Sequence, residues 1–329
     1  MVLNDTDDLL PLANRSGALE QAWDGDDQQW WDWYVSLAAN DAPPARLLPG
    51  PGLPDAAPAG DDELATLLQE PYELEPEQRN HFREQSFVKL PGVLTPAVVR
   101  RLAHRLDELL RTEHAGGTGG RFLSLEQMWR TDELMRAVAL SPRLGGLAAA
   151  LLQADVRLYH DNALSKEPGC GRTPWHHDAE HFPLATLAAV TAWLPLSAVP
   201  RPMGPLSFAR GADLRPLLEG VSFARTGTGY DTQVGARFSA AAVTVEDGPY
   251  EVGDVSFHGA LCFHTAGPNH TDQPRRALAT TYFADGAHVV DQPTLISGAW
   301  QDFLPGVAPG GLAATPLNPV VGRDGGGAT

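Results

Sequence analysis

The run Thr173-Pro-Trp-His-His-Asp-Ala-Glu-His-Phe-Pro183 gathers imidazoles and carboxylates into one short stretch. Along extended backbone, alternate side chains share a face, so His176 and Asp178 project together while His177 turns away. One imidazole and one carboxylate on a common face supply two legs of a facial metal site. A second histidine from elsewhere would complete the 2-His-1-carboxylate set that leaves coordination positions open on Fe(II). His264 is the candidate, closing the run Val252-Gly-Asp-Val-Ser-Phe-His-Gly-Ala-Leu-Cys-Phe-His264, which reads as a turn followed by one strand. His258 has the same strand parity and is its strongest competitor. His160, His177 and His181 read as structural imidazoles or as supports for the ligands. Beyond His264, Arg275 opens the apolar run 275–283.

These residues need a rigid frame, and the pattern after Asp155 supplies one. Segments 156–165, 189–196, 205–208, 243–245, 254–263 and 277–283 are short, apolar or alternating, and bounded by Gly, Pro or Asp, as strands are. Before them the texture is helical, apart from a short strand at 87–90. Helices are expected at 77–84, from Pro96 with Thr95 as its cap, and from Pro142 to about Gln153 with Ser141 as its cap. On the second of these, Val98, Val99, Leu102, Leu106, Leu109 and Leu110 recur at helical spacing. Ser124 with Gln127 has the form of a capping box and predicts another helix start. Strands following helices predict an α+β chain with a mainly β core, an antiparallel double sheet flanked by helices. The glycine-rich stretch 226–231 is expected to be a mobile loop over the site.

Composition narrows the partners. A chain of 329 residues with 43% hydrophobic and 20% charged residues can bury a sizeable core. Its net charge of -17 argues against nucleic acid or an anionic membrane, either of which needs a basic patch to displace counterions. The acidic start lacks the basic and apolar regions of a signal peptide, and no apolar run is read as long enough to span a bilayer, so a cytoplasmic location is expected. Cys170 and Cys262 are too few for a disulfide framework and read as free thiols. Of 24 basic residues only Lys89 and Lys166 are lysines, which singles out Lys166, close to the histidine run.

Residues 1–72 form a distinct segment. Trp23, Trp30, Trp31 and Trp33 are half of the eight tryptophans, three of them in an expected helix at 28–39. Docking of that helix on the main body is the favoured reading, ahead of an aromatic lid or ligand cage. A Pro- and Gly-rich connector follows at 41–62. Residues 73–317 are expected to form the main domain, and the glycine-rich tail 318–329 to be disordered.

Taken in order, Lys166-Glu-Pro-Gly, Trp175-His-His-Asp-Ala-Glu-His-Phe-Pro183, Thr191-Ala-Trp193, Gly204-Pro-Leu206, Gly253-Asp254, His264, Gly267-Pro-Asn269 and Arg275 resemble the signature of the phytanoyl-CoA dioxygenase family over roughly residues 73–283. That resemblance implies a double-stranded β-helix, the cupin-like jelly roll, and an enzyme that uses Fe(II), 2-oxoglutarate and O2. It implies that His176, Asp178 and His264 bind the iron and that Arg275 binds the distal carboxylate of 2-oxoglutarate. A planar guanidinium suits a carboxylate bidentately, and Arg276 points to the opposite face. Lys166 is expected to hold a carboxylate of cosubstrate or substrate, Thr173 to join the cosubstrate site, and Trp193 and Phe182 to wall the pocket. Many relatives carry a hydroxyl two positions after the distal histidine. Ala266 stands there, so Thr265 or Thr281 is expected to replace it, or Arg275 to act alone. Related halogenases lack the carboxylate ligand, and Asp178 fills that position. The implied reaction is hydroxylation of a small organic substrate, a natural product or amino-acid-like molecule, with release of succinate and CO2. Desaturation, epimerisation and ring closure are the alternatives within that chemistry, and a cupin-like binding protein without turnover is the alternative outside it.

Overall fold

The computed structural model describes residues 26–293 and 297–323; Trp23 lies outside them. The first half is helical: α1 (Asp27–Val35), α2 (Asp61–Gln69), α3 (Pro76–Gln85), strand β1 (Phe87–Leu90), α4 (Pro96–Glu113), strand β2 (Phe122–Glu126), α5 (Glu133–Ala139) and α6 (Pro142–Leu152). The second half is mostly strands: β3 (Val156–Lys166), β4 (Thr173–His176), β5 (Ala189–Pro195), β6 (Leu206–Ala209), helix α7 (Gly229–Ala240), β7 (Val245–Glu246), β8 (Val255–Gly259), β9 (His264–Ala266), β10 (Arg275–Ala284) and β11 (Val320–Gly322).

Local chemistry sets the helix starts. Thr95 Oγ1 accepts from Val98 N at 3.3 Å and Ser141 Oγ from Leu144 N at 3.2 Å, each ahead of a proline at the first helical position. The apolar face of α4 is buried through Val98, Val99, Leu102 and Leu106. With α5 and α6 it shares one core with the sheet residues Ala192, Leu194, Leu278 and Tyr282. Residues 133–152 are apolar enough by length and composition to cross a membrane. That stretch breaks into α5 and α6 at Ser141, and most of its apolar residues are buried in the protein, so it is core.

All strand pairs are antiparallel and form two open sheets. The large one runs β1-β8-β5-β10-β3-β11, with β2 also on β3; the small one runs β4-β9-β6-β7. Pairing of Ala279 with Trp193 and Thr281 with Thr191 puts these side chains on the inner face, while Leu278 and Leu194 face the helices. Trp193, Ala277 and Ala279 pack there with Leu206, Phe208 and Ala266 of the small sheet. This is the jelly-roll sandwich, and the cavity lies between its sheets.

Several elements differ from expectation. Ser124 caps no helix: β2 pairs with β3, and Gln127 takes a left-handed φ of 54° after it. The expected strand 254–263 ends early as β8, and a turn closed by Cys262 N to Gly259 O at 2.9 Å carries the chain from the large sheet to β9 of the small one at His264. The 226–231 stretch is not simply a loop, since α7 begins at Gly229 and buried Asp231 holds Trp175 N at 2.7 Å and Ala39 N at 2.8 Å. The tail is ordered as far as residue 323. Buried Asn318 donates to Leu158 O and Phe303 O, and β11 pairs with β3; residues 324–329 lie outside the described residues.

Candidate metal centre and cosubstrate pocket

The small sheet and the turn after β4 bring His176, Asp178 and His264 together. His176 ends β4, His264 opens β9 directly opposite it, and their rings lie 4.0 Å apart by centroid. Asp178 is not on the strand with His176: it starts a single 3-10 turn, Asp178–Glu180. That turn still aims its Oδ1 at both rings, 3.6 Å from His264 Nε2 and 4.0 Å from His176 Nε2. One ligand atom from each residue falls within 4.8 Å of the others.

Each ligand is fixed from behind. His176 Nδ1 lies 2.8 Å from Pro174 O and His264 Nδ1 2.9 Å from Cys262 O, so Nδ1 carries the proton and Nε2 presents its lone pair to the centre. Burial, reinforced by the neighbouring imidazoles, lowers both rings to about 3, which keeps them neutral and free to ligate. Asp178 Oδ2 accepts from Thr191 Oγ1 at 2.7 Å and meets His258 Nε2 at 3.2 Å, leaving Oδ1 for the metal. Burial opposes ionisation of Asp178, yet the His264 and His258 imidazoles hold its carboxyl well below the usual range. His258 thus sits on β8 in the other sheet and supports the carboxylate. Neutral nitrogens and one carboxylate oxygen on a single face fit Fe(II).

Arg275 fits the cosubstrate. It is 2% exposed and lines the cavity, with Nη1 donating to Gly204 O at 3.0 Å, its guanidinium 5.3 Å from the Trp193 ring and its Nε without a partner. No carboxylate among the described residues pairs with it. A buried guanidinium without a counterion costs free energy that an anionic ligand would recover. Gly204 has no room for a side chain: with φ +73°, a Cβ there would collide with the Gly267 and Pro268 carbonyls. Arg276 faces outward, 2.5 Å from Asp107.

Two expected pocket residues are committed elsewhere. Lys166 is fully buried, and its three N–H groups donate to Gly171 O, Ala266 O and Gly267 O at 2.8, 3.0 and 2.8 Å. It has no donor left for a carboxylate and acts as a cross-brace between the loops around the site. Thr265 Oγ1 donates to Thr173 O at 2.6 Å and accepts from Arg172, so it too is spent on backbone alignment. Thr173 and Trp193 line the cavity, as do Phe182, Thr191 and Thr281, the last two 3.1 Å apart through their hydroxyls. Replacing Lys166 with Met leaves three buried carbonyls unpartnered at roughly 1–3 kcal/mol each. Denaturant unfolding should show a loss of about 3 kcal/mol or more, with 2-oxoglutarate affinity little changed in the folded fraction. A stable variant with a raised 2-oxoglutarate KM would instead return Lys166 to the pocket.

Two supports of the site have no local signal in the sequence. Buried Asn269 donates to Lys166 O and Gln273 O at 2.9 and 2.8 Å and accepts from Thr271, shaping the turn that delivers Arg275. The helix α1 does more than dock. Gln28 ties it to Phe122 O and Ser124 N, while Trp30, Trp31 and Tyr34 close one side of the cavity, the Tyr34 ring 5.6 Å from His176. The cavity volume is about 150 Å³.

The family model for phytanoyl-CoA dioxygenase matches residues 82–277, more than half of the chain, and the chain belongs to that family. It is a non-haem iron, 2-oxoglutarate-dependent dioxygenase. Among solved structures, the non-haem α-ketoglutarate-dependent carbocyclase SnoK from nogalamycin biosynthesis is 27% identical, with a TM-score of 0.64 over 77% of this chain and 99% of that one. The epimerase SnoN, solved in complex with Fe3+, α-ketoglutarate and nogalamycin RO, is 27% identical with a TM-score of 0.61 over 74% and 97%. EctD from S. alaskensis, solved with 2-oxoglutarate and 5-hydroxyectoine, shares the fold at 16% identity and a TM-score of 0.59 over 83% and 95%. No curated protein matches the chain significantly.

Proposed function

We propose that the protein hydroxylates a C–H bond of a small, largely apolar natural product, with oxidative decarboxylation of 2-oxoglutarate to succinate and CO2. The observation that carries this is the joint placement of a complete carboxylate-containing triad and an unpaired buried Arg275 on one cavity. His176, Asp178 and His264 would hold Fe(II), which when loaded with 2-oxoglutarate supplies the oxidising power for an unactivated C–H bond. Arg275 would receive the distal carboxylate of 2-oxoglutarate through its free donors, with the Trp193 ring beside it excluding water. Thr191 and His258 keep Asp178 ionised and oriented. The aromatic side of the cavity, contributed by α1, excludes water and positions the substrate. Thr173 is proposed as a wall of the cosubstrate site.

A second reading is ring closure, epimerisation or desaturation of the substrate radical, favoured by the 27% identity to a carbocyclase and an epimerase. Both readings are resolved by measuring succinate release against a panel of small molecules, then analysing the product made under isotopically labelled O2 with chloride present. Hydroxylation predicts one labelled oxygen and no chlorine, because Asp178 fills the coordination position a halide would need. A product without label, whether desaturated, ring-closed or epimerised, selects the second reading, and a chlorinated one removes Asp178 from the ligand set.

A further inference from the structure

The wall of the cavity made by α1 and β2 holds acidic groups that the iron chemistry does not use. Glu126, at the end of β2, and Asp27, in the first turn of α1, both line the cavity and share a hydrogen bond between their carboxyls. Trp31 Nε1 donates to Glu126 Oε1 at 3.2 Å. Among the described residues no Lys or Arg forms an ion pair with either carboxyl. Directly opposite Glu126 in the β2–β3 ladder stands Asn162, 7% exposed, whose Oδ1 has no hydrogen-bond partner. Side chains directly opposite in such a ladder lie about 5 Å apart, so this orphaned acceptor sits beside the carboxyl pair and faces the same space. The Trp30 and Trp31 rings complete that wall, 5.1 Å apart and edge to face.

We propose that this wall is an ammonium-binding subsite, formed by Asp27, Glu126 and Asn162 with the Trp30 and Trp31 rings, and that the substrate carries a protonated amine. The inference rests on the cavity being the substrate site of the oxygenase. An ammonium offers N–H donors and no acceptor. Here it meets a carboxyl pair that shares one proton and keeps one negative charge, an amide oxygen that accepts, and aromatic faces that attract cations. A neutral alcohol of the same shape would satisfy only one acceptor and leave the negative charge uncompensated. The two carboxyls crowd each other: burial, then the charge of Asp27, pushes Glu126 up to about 8. A bound cation would relieve that crowding.

The test uses the iron-loaded full chain, kept anaerobic with 2-oxoglutarate, and calorimetric titration with naphthylmethylamine and its neutral isostere naphthalenemethanol. The amine should bind at least about tenfold more tightly than the alcohol, the size expected for a charged hydrogen bond. Glu126→Gln should cut that preference to about threefold or less, while 2-oxoglutarate still binds, which also shows that the variant is folded. If Glu126→Gln does not fold, Asp27→Asn, on the exposed first turn of α1, carries the same expectation. Equal binding of amine and alcohol, no binding of the amine, or a preference unchanged in the folded variants overturns the subsite. Failure of the oxygenase reading would show separately, as absent 2-oxoglutarate binding by the unmodified protein.

Discussion

Alanine at His176, Asp178 or His264 should abolish 2-oxoglutarate turnover, a fall well beyond a hundredfold, in a protein that remains folded. Each residue offers one of the three ligand atoms that the described residues gather at the proposed centre. Loss of a group that merely orients a ligand typically costs about ten- to a hundredfold in metal affinity or activity, and loss of the ligand itself costs more. His258→Gln is the discriminating control. His258 Nε2 lies 3.2 Å from Asp178 Oδ2, the oxygen turned away from the other two histidines. Its replacement should therefore fall in that smaller range, with Thr191 still holding the carboxylate. Folding should survive in all four variants, because His176 and His264 each spend only Nδ1 on a neighbouring carbonyl, and Asp178 and His258 give up only the contacts that join Asp178 to Thr191 and His258. Iron content by equilibrium dialysis and succinate release measure both effects. A His264→Ala protein that retains turnover while His258→Gln loses it would exchange their roles.

Arg275→Lys should raise the 2-oxoglutarate KM by about ten- to a hundredfold, since one charged hydrogen bond is worth about 1.5–3 kcal/mol. An ammonium keeps the charge but loses the planar pair of donors, and it cannot reach Gly204 O and a ligand carboxylate in the same geometry. Arg276→Lys should change KM less than about twofold, because Arg276 faces Asp107 on the helix side of the sheet, where a partly exposed ion pair contributes about 1 kcal/mol or less. Steady-state kinetics of the two variants decide between them. The opposite result, with Arg276 controlling KM, would mean that β10 presents its other face to the cavity.

Much of the frame could be read from residues alone because its signals are local. Thr95-Pro96 and Ser141-Pro142 mark helix starts wherever they occur, and the alternation in β10 assigns Arg275 inward and Arg276 outward by strand geometry. What could not be read depends on partners distant in sequence. Lys166 stood out as a rare lysine, but three carbonyls from the 171 and 266–267 loops consume it, and no pattern near Lys166 announces them. Ser124 and Gln127 satisfied a capping pattern, yet pairing with β3 made Ser124 part of a strand. His258 and His264 share strand parity in the sequence. The turn after Gly259 places them on different sheets, with rings 4.3 Å apart at the same carboxylate. The tryptophan pattern at 28–39 predicts a helix docked on the main body, and α1 is also a wall of the cavity, a double role that depends on where Gln28 meets β2.

The central claim is that one triad and one arginine together create a site for iron and 2-oxoglutarate. Its most direct measurement is calorimetric titration of 2-oxoglutarate into the anaerobic protein with and without Fe(II), repeated on Asp178→Ala and Arg275→Lys. The account predicts tight binding of one 2-oxoglutarate per chain only when Fe(II) is present, loss of that iron dependence in Asp178→Ala, and iron-dependent binding weakened about ten- to a hundredfold in Arg275→Lys. Binding that is equally strong without iron, or that keeps its iron dependence in Asp178→Ala, would contradict it.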